Sequence, residues 1–154
     1  MHRDRIYIVF AAFFFLHFFG LQAHGACNIS TTSMVFPPYD VFLAVPTDTN
    51  STVTVTCDTQ KPSPVILSLG ASLNSGGFNP RQMKHTVSAD LLVYNIYSDK
   101  AFTAVLGDGT GGGTLARQVT RNKPWVPVLY GRIPALQNAT VGTYTDVLTV
   151  TVTW

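Results

Sequence analysis

The chain has 154 residues, of which 46% are hydrophobic and 12% charged, enough for one domain with a sizeable core but short for two. It has 10 basic and 8 acidic residues, and two of the basic and one of the acidic residues lie within the first five positions, so the rest is nearly neutral. This balance leaves no electrostatic footprint for nucleic acid or an anionic membrane surface, and we expect neither as a partner.

The N-terminus has the three regions of a secretory signal peptide. Charged residues from Arg3 to Arg5 precede an apolar run from Ile6 to Phe19, and small residues follow it up to Ala26. The apolar run is about 14 residues long, short of the roughly 20 that a membrane-spanning helix needs. We predict a signal peptide over residues 1–26, cleaved near residues 23–26, and one domain over 27–154. An uncleaved anchor is the alternative.

Two cysteines, Cys27 and Cys57, are the only ones in the chain. An even number in an exported chain indicates one disulfide, which would stabilise the fold by roughly 3–4 kcal/mol on the chain-entropy model. Two free buried thiols are the alternative. A metal site fits less well, because cleavage leaves no histidine near either cysteine. We predict no metal and no cofactor.

Short alternating segments predict β-strands in the rest of the chain. Glycine, proline and asparagine separate these segments, and none has the 3.6-residue period of a helix. The fold class predicted is an all-β antiparallel sandwich. Asp48, Asn50, Ser51 and residues 107–113 are predicted turns. The predicted strands cover residues 33–36, 39–45, 52–57, 65–69, 81–84, 91–97, 104–106, 127–134 and 142–154.

The last predicted strand has the most regular pattern. Because successive side chains of a strand point to opposite faces, its residues divide into two sets. One face has Leu148, Val150, Val152 and Trp154. The other has Val147, Thr149, Thr151 and Thr153. Such a strand at the end of a chain either lies inside a sheet or leaves an edge for another chain.

Residues suited to catalysis are scarce. The chain has no glutamate, and His85 is the only histidine beyond the predicted signal peptide. We interpret His85 as an exposed loop residue, and Trp125 as a core residue rather than a carbohydrate-facing one. The aspartates are interpreted as turn or hydrogen-bonding residues: Asp90, Asp99, Asp108 and Asp146. We predict no catalytic residue and no small-molecule substrate. A secreted hydrolase is the alternative that His85 or an aspartate would have to support.

Several short sequence motifs are distributed along the chain from Cys27 onwards. They start with Cys27, Val35-Phe36 and Tyr39-Asp40, and continue with residues 53–57 (VTVTC), 81–83 (RQM), 91–99 (LLVYNIYSD), 107–110 (GDGT), 130–133 (YGRI) and 142–146 (GTYTD). Together they resemble the spore coat protein U domain, the subunit domain of archaic, Csu-type chaperone–usher pili. The motif residues carried over are Tyr94, Asn95, Tyr97, Gly131, Gly142, Tyr144 and Asp146.

The resemblance implies an incomplete immunoglobulin-like sandwich that lacks its final strand and exposes a groove. In such families a periplasmic chaperone inserts a strand into the groove, and at the outer-membrane usher the next subunit's N-terminal segment replaces it. The implied partners are therefore a periplasmic pilus chaperone, an outer-membrane usher and neighbouring pilus subunits. The implied route is export through the periplasm to a surface fimbria, or secretion.

The resemblance also implies particular roles for residues. Cys27 and Cys57 would form the disulfide. The wall of the groove would be formed by Leu148, Val150, Val152 and Trp154, the last standing where the family usually has tyrosine or phenylalanine.

At most about three residues would precede Cys27 after cleavage, whereas a donor segment takes roughly ten residues at about 3.3 Å each. We therefore hypothesise that the chain accepts a strand without giving one, as a tip or terminating subunit would. The alternative is a stand-alone secreted coat or binding domain whose sandwich is completed internally.

Overall fold

A computed structural model describes residues 25–59 and 62–154. The predicted signal peptide falls almost entirely on residues 1–24, outside the described residues. No described segment is a helix of the length and apolar character that crossing a membrane requires. The described strands are β1 (Cys27–Thr31), β2 (Thr47–Cys57), β3 (Ser63–Leu69), β4 (Arg81–His85), β5 (Leu91–Tyr97), β6 (Leu115–Val119), β7 (Val128–Ile133), β8 (Tyr144–Thr145) and β9 (Val150–Thr153).

The strands form two antiparallel sheets. The larger has the order β1-β2-β7-β5-β4-β8, and the smaller has the order β6-β3-β9. Alternate residues of each strand turn inward, so that Val55 of β2 and Leu67 of β3, both fully buried, belong to one apolar core with Val152 of β9. The prediction of an all-β antiparallel sandwich is confirmed.

A disulfide joins the first two strands. Cys27 lies opposite Cys57 in the antiparallel register of β1 and β2, and their sulfur atoms are bonded. Cys57 is fully buried, so the bond fixes the edge strand β1 to a strand that runs through the core.

Several predicted strand boundaries were wrong. Residues 33–36 and 39–45 form no strand, and residues 104–106 contribute only isolated bridges. The predicted turn at Asp48, Asn50 and Ser51 is part of β2, because their backbone pairs with β7 and the Asp48 carboxylate accepts two hydrogen bonds from Arg132. The strands β1 and β6 were not predicted.

The C-terminal segment is two strands instead of one. β8 pairs with β4 at the edge of the larger sheet, and β9 pairs with β3 at the edge of the smaller one. Residues 146–149 therefore cross from one sheet to the other. This crossing positions the site described next.

Candidate functional site

A cavity of about 380 Å³ opens between the two sheets beside this crossing. Residues 31–36 form one wall and residues 144–150 form the other. The side chains between these walls are largely apolar: Val53, Leu69, Met83, Tyr94, Ile96 and Leu129. We call this cavity, with its two walls, the groove.

The first wall leaves the larger sheet at the end of β1. The Thr32 amide donates to the Thr52 carbonyl at 3.0 Å, which is the last rung with β2. Beyond it Met34 and Phe36 turn inward and are half-buried, whereas Val35 between them is 72% exposed. The segment thus keeps the period-2 alternation of a strand with no ladder of its own in the described residues.

Gly131 of β7 lets this wall lie close to the larger sheet. A Cβ at Gly131 would meet the Met34 sulfur and would lie 2.8 Å from the Phe36 ring. Phe36 in turn packs edge-to-face on Tyr94, with ring centroids 6.1 Å apart. Glycine at position 131 therefore sets how deeply the two side chains sit.

The second wall alternates as well. Tyr144, Asp146, Leu148 and Val150 are half-buried, and the residues between them are exposed. Side chains of the even-numbered residues therefore point towards the core, as the sequence pattern predicts for a strand.

Hydrogen bonds connect Asp146 of this wall to the larger sheet and to the loop that follows β3. Its carboxylate accepts a hydrogen bond from the Tyr94 hydroxyl of β5 at 2.7 Å, and another from the Asn74 amide group at 3.1 Å. Asn74 follows β3 and also donates to the Gln82 carbonyl of β4 at 2.9 Å. Burial, and then the hydrogen bond to Asp146, raise the pKa of Tyr94 above its ordinary value.

One edge of β9 has no strand beside it among residues 25–59 and 62–154. The Gly70 amide donates to the Thr149 carbonyl at 2.8 Å, so the Thr149 backbone faces β3. In an antiparallel ladder the backbone groups of successive residues point to opposite sides. The amides and carbonyls of Val150 and Val152 therefore face away from β3, towards the open edge.

The predicted groove residues occupy different places. Leu148 and Val150 line the groove, and Val152 is buried in the core. Trp154 is half exposed and does not line the groove, because its indole nitrogen donates to the Gly25 carbonyl at 2.7 Å.

The motif residues are also divided. Tyr94, Tyr144 and Asp146 line the groove, and Gly131 supports its first wall. Asn95 is buried and donates to the Asn79 side chain at 2.6 Å, outside the groove.

The remaining motif residues also lie away from the groove lining. Tyr97 packs edge-to-face on Phe102, at 5.5 Å between centroids. Gly142 passes against His85, whose imidazole would meet any Cβ at that position.

Sequence reasoning did not name Met34, Phe36 or Asn74 as site residues. The alternation within residues 33–36 was the available signal for Met34 and Phe36, but it was interpreted as an ordinary strand. Asn74 lies in a loop, and nothing in the sequence indicates that it reaches Asp146.

The other candidate residues, His85 and Trp125, have structural roles. His85 ends β4, which corrects its interpretation as a loop residue; its Nδ1 accepts hydrogen bonds from the Val87 and Ser88 amides. Trp125 is buried in the core. Within residues 25–59 and 62–154, no three histidine, cysteine or acidic side chains cluster as a metal site would require.

Comparison of the sequence with protein families gives one match, the Spore Coat Protein U domain, over residues 14–151. The chain belongs to this family. Comparison with curated protein sequences finds no significant match.

Solved structures share the fold of this family member. One similar chain comes from the CsuC–CsuE chaperone–tip adhesion subunit pre-assembly complex of the archaic chaperone–usher Csu pili of Acinetobacter baumannii. It is 22% identical with a TM-score of 0.58, and the match covers 85% of this chain and 40% of that one. The protein therefore spans less than half the length of this neighbour, and the likeness shows a shared immunoglobulin-like fold alone.

Two more distant structures also match. A chain of a chaperone–tip adhesin complex of CFA/I fimbriae biogenesis is 13% identical at a TM-score of 0.48, with 82% of this chain and 42% of that chain covered. The E. coli Hda pilus minor tip subunit, HdaB, is 12% identical at a TM-score of 0.40, with 82% and 79% covered.

Proposed function

We propose that this protein is a structural subunit of a surface fimbria or coat, and that its groove accepts a β-strand from another chain. The observation that carries the proposal is the open edge of β9, which lies beside a cavity lined by apolar side chains. A strand with unpaired backbone groups is a template for strand addition.

The groove offers both kinds of contact that strand addition uses. The backbone groups of Val150 and Val152 face the open edge and are available for hydrogen bonds. The side chains of Leu148 and Val150 lie with Met34 and Phe36 around space for alternate residues of an added strand. Backbone hydrogen bonds to the donor strand would supply affinity, and the side-chain pockets would supply selectivity among donor sequences.

The second wall limits the length of the added segment. Residues 144–150 make up that wall, and at about 3.3 Å per residue a strand alongside them covers roughly 20 Å. Six or seven residues of a donor would span this distance, with about three of its side chains turned inward.

The partners follow from membership of the family and from this groove. A periplasmic pilus chaperone would supply a strand first, and a neighbouring pilus subunit would replace it at an outer-membrane usher. The route is through the periplasm to the cell surface, and the role is structural rather than enzymatic. In this assignment Leu148 and Val150 bind the donor side chains, while Val152 and Trp154 continue the wall beyond the cavity.

The expectation that the chain accepts a strand without giving one, at a tip or terminating position, stays a prediction. A fibre-assembly assay with the purified protein tests it. Self-polymerisation through the protein's own N-terminal segment would contradict it.

Peptide capture tests the acceptor function directly. The probe is a synthetic peptide that alternates valine with threonine over about nine residues, enough to span the groove. Leu148→Asp places a second negative charge among apolar side chains, near Asp146, and should weaken capture by roughly 100-fold, since an unpaired buried charge costs several kcal/mol. Thr151→Asp is the matched control, because Thr151 is exposed on the opposite face of β9 and does not line the groove.

Equal capture by wild type and Leu148→Asp would contradict the proposal. So would a stable monomer that binds no peptide, which is the behaviour expected of a sandwich completed internally.

A further inference from the structure

The carboxylate of Asp146 is a feature that strand acceptance alone does not explain. Among the described residues that line the groove, Asp146 is the only charged one. It is half-buried on the same wall as Leu148, which follows it two residues later in the chain. A charge at this place is costly to cover with an apolar strand.

The hydrogen bonds of Asp146 leave part of its capacity unused. One oxygen accepts from the Tyr94 hydroxyl, and the other accepts from Asn74 at 3.1 Å and from the Val147 amide at 2.9 Å. An ionised carboxylate offers about four acceptor positions. Three donors therefore leave room for about one more.

Within the described part of the chain, no cation lies at ion-pair distance from Asp146. The ion pairs of residues 25–59 and 62–154 join Arg121 to Asp58 and Arg132 to Asp48. The nearby Arg81 is fully buried, and its guanidinium donates to the carbonyls of Gly70, Phe78 and Leu106. Among the described residues Asp146 therefore forms no ion pair. Its charge acts on Arg81 only through space, where it opposes the lowering of the Arg81 pKa by burial.

We propose that Asp146 selects donor segments that carry a basic side chain, lysine or arginine, next to its carboxylate. This rests on the proposed acceptor function, which it makes more specific. Once a donor strand covers the groove, Asp146 loses water, and a lysine or arginine replaces that water with a charge-assisted hydrogen bond.

The position of the basic residue follows from the spacing of the wall. Side chains of an added strand lie beside those of its neighbour on the same face. Apolar donor residues would stand beside Val150 and Leu148, and the basic one beside Asp146. The donor pattern is therefore two apolar residues and one basic residue at alternate positions, with the basic residue towards Tyr144.

A lysine scan of the donor peptide tests this pattern. Lysine, or norleucine, which has a linear side chain without the ammonium group, is placed at each position of the valine–threonine peptide in turn. We expect one position at which lysine binds about tenfold more tightly than norleucine. In Asp146→Asn that ratio should fall to about one.

Norleucine binding as tightly as lysine at every position in the wild-type protein would overturn the inference without any variant having to fold. An unchanged lysine preference in a folded Asp146→Asn would overturn it too. Leu148→Asp separates these results from failure of the acceptor function, because a valine–threonine peptide that binds equally well to that variant does not use the groove, and both proposals would then be wrong.

Discussion

Two segments of nearly the same sequence have different surroundings in this protein. Residues 52–57 read TVTVTC and residues 149–154 read TVTVTW, with valines alternating in the same way. The first lies in β2, between β1 and β7, and the second contains β9 at the edge of its sheet. Val53 and Val55 are 2% and 0% exposed. In the second segment Val152 is also buried, at 9%, whereas Val150 is only half-buried.

The difference shows what an alternating pattern specifies. Side-chain alternation determines which residues share a face, and both segments obey it. The number of neighbouring strands depends on the rest of the chain. For β2 the chain supplies both neighbours, and for β9 the described residues supply one. The groove that we propose accepts a strand is the place where a second neighbour of β9 would lie.

Among the changes that test this comparison, removal of the disulfide should lower the free energy of unfolding the most, because it releases β1 from β2. Cys27→Ser with Cys57→Ser opens a link between residues 30 apart, and we expect the free energy of unfolding to fall by about 3–4 kcal/mol. Urea denaturation measures the loss. Reductant should destabilise the wild type but leave the double variant unchanged; equal sensitivity of both proteins to reductant would contradict the assignment.

Truncation of one valine in each segment tests the two segments against each other. Val55→Ala should lower the free energy of unfolding by about 2–3 kcal/mol, because Val55 is fully buried between two sheets. Val150→Ala should cost under about 1 kcal/mol in the free protein, because that side chain still borders an open groove. Denaturation of both variants, alone and with donor peptide, provides the measurement.

With peptide bound, the cost of Val150→Ala should rise towards that of Val55→Ala, since the added strand buries the side chain. An equal cost with and without peptide would show that Val150 does not contact the donor.

A smaller change in the first wall should narrow the groove. Gly131→Ala forces the Met34 and Phe36 side chains away from β7, and we expect peptide affinity to fall by about 1–2 kcal/mol, which is roughly 5- to 30-fold. Isothermal calorimetry measures the affinity. Gly77→Ala is the control, because the nearest atoms to its new Cβ lie 3.9 Å away. A fall in peptide affinity of the same size in Gly77→Ala would contradict the role assigned to Gly131.

The smallest expected effect is on the pH dependence of stability. Burial and the hydrogen bond to Asp146 raise the pKa of Tyr94, so the folded protein holds the hydroxyl proton more tightly than the unfolded chain. The stabilisation is complete below the ordinary tyrosine pKa of 10.0 and is lost as the pH rises above it. Tyr94→Phe should unfold with a shallower loss of stability between about pH 10 and 11, measured by urea denaturation. An identical alkaline slope would contradict the contact.

The sequence predicted the all-β class, the Cys27–Cys57 pair and the inward face of the last strand, because each depends on local pattern or on residue type. The sequence did not predict that residues 33–36 lack a ladder, because their alternation is the same whether or not a partner is present. It also missed the division of residues 142–154 between two sheets. That crossing depends on Asp146, whose partners Tyr94 and Asn74 lie far away in the sequence.

The surroundings of Arg81 were also not predicted from the sequence. The sequence predicted only a strand there, yet Arg81 is fully buried and its guanidinium donates to carbonyls of the β3–β4 connection and of Leu106. Burial lowers its pKa, and the carbonyl groups compensate for lost water. Such a site depends on loops meeting in space, which no local pattern encodes.

Amide hydrogen exchange along β9 tests the central claim most directly. Thr151 and Thr153 face β3 and should be protected in the free protein, whereas Val150 and Val152 face the open edge and should exchange rapidly. Addition of the donor peptide should protect Val150 and Val152 and leave Thr151 and Thr153 as they were. Protection of all four amides before any peptide is added would show that the edge is already occupied, and would contradict the acceptor groove.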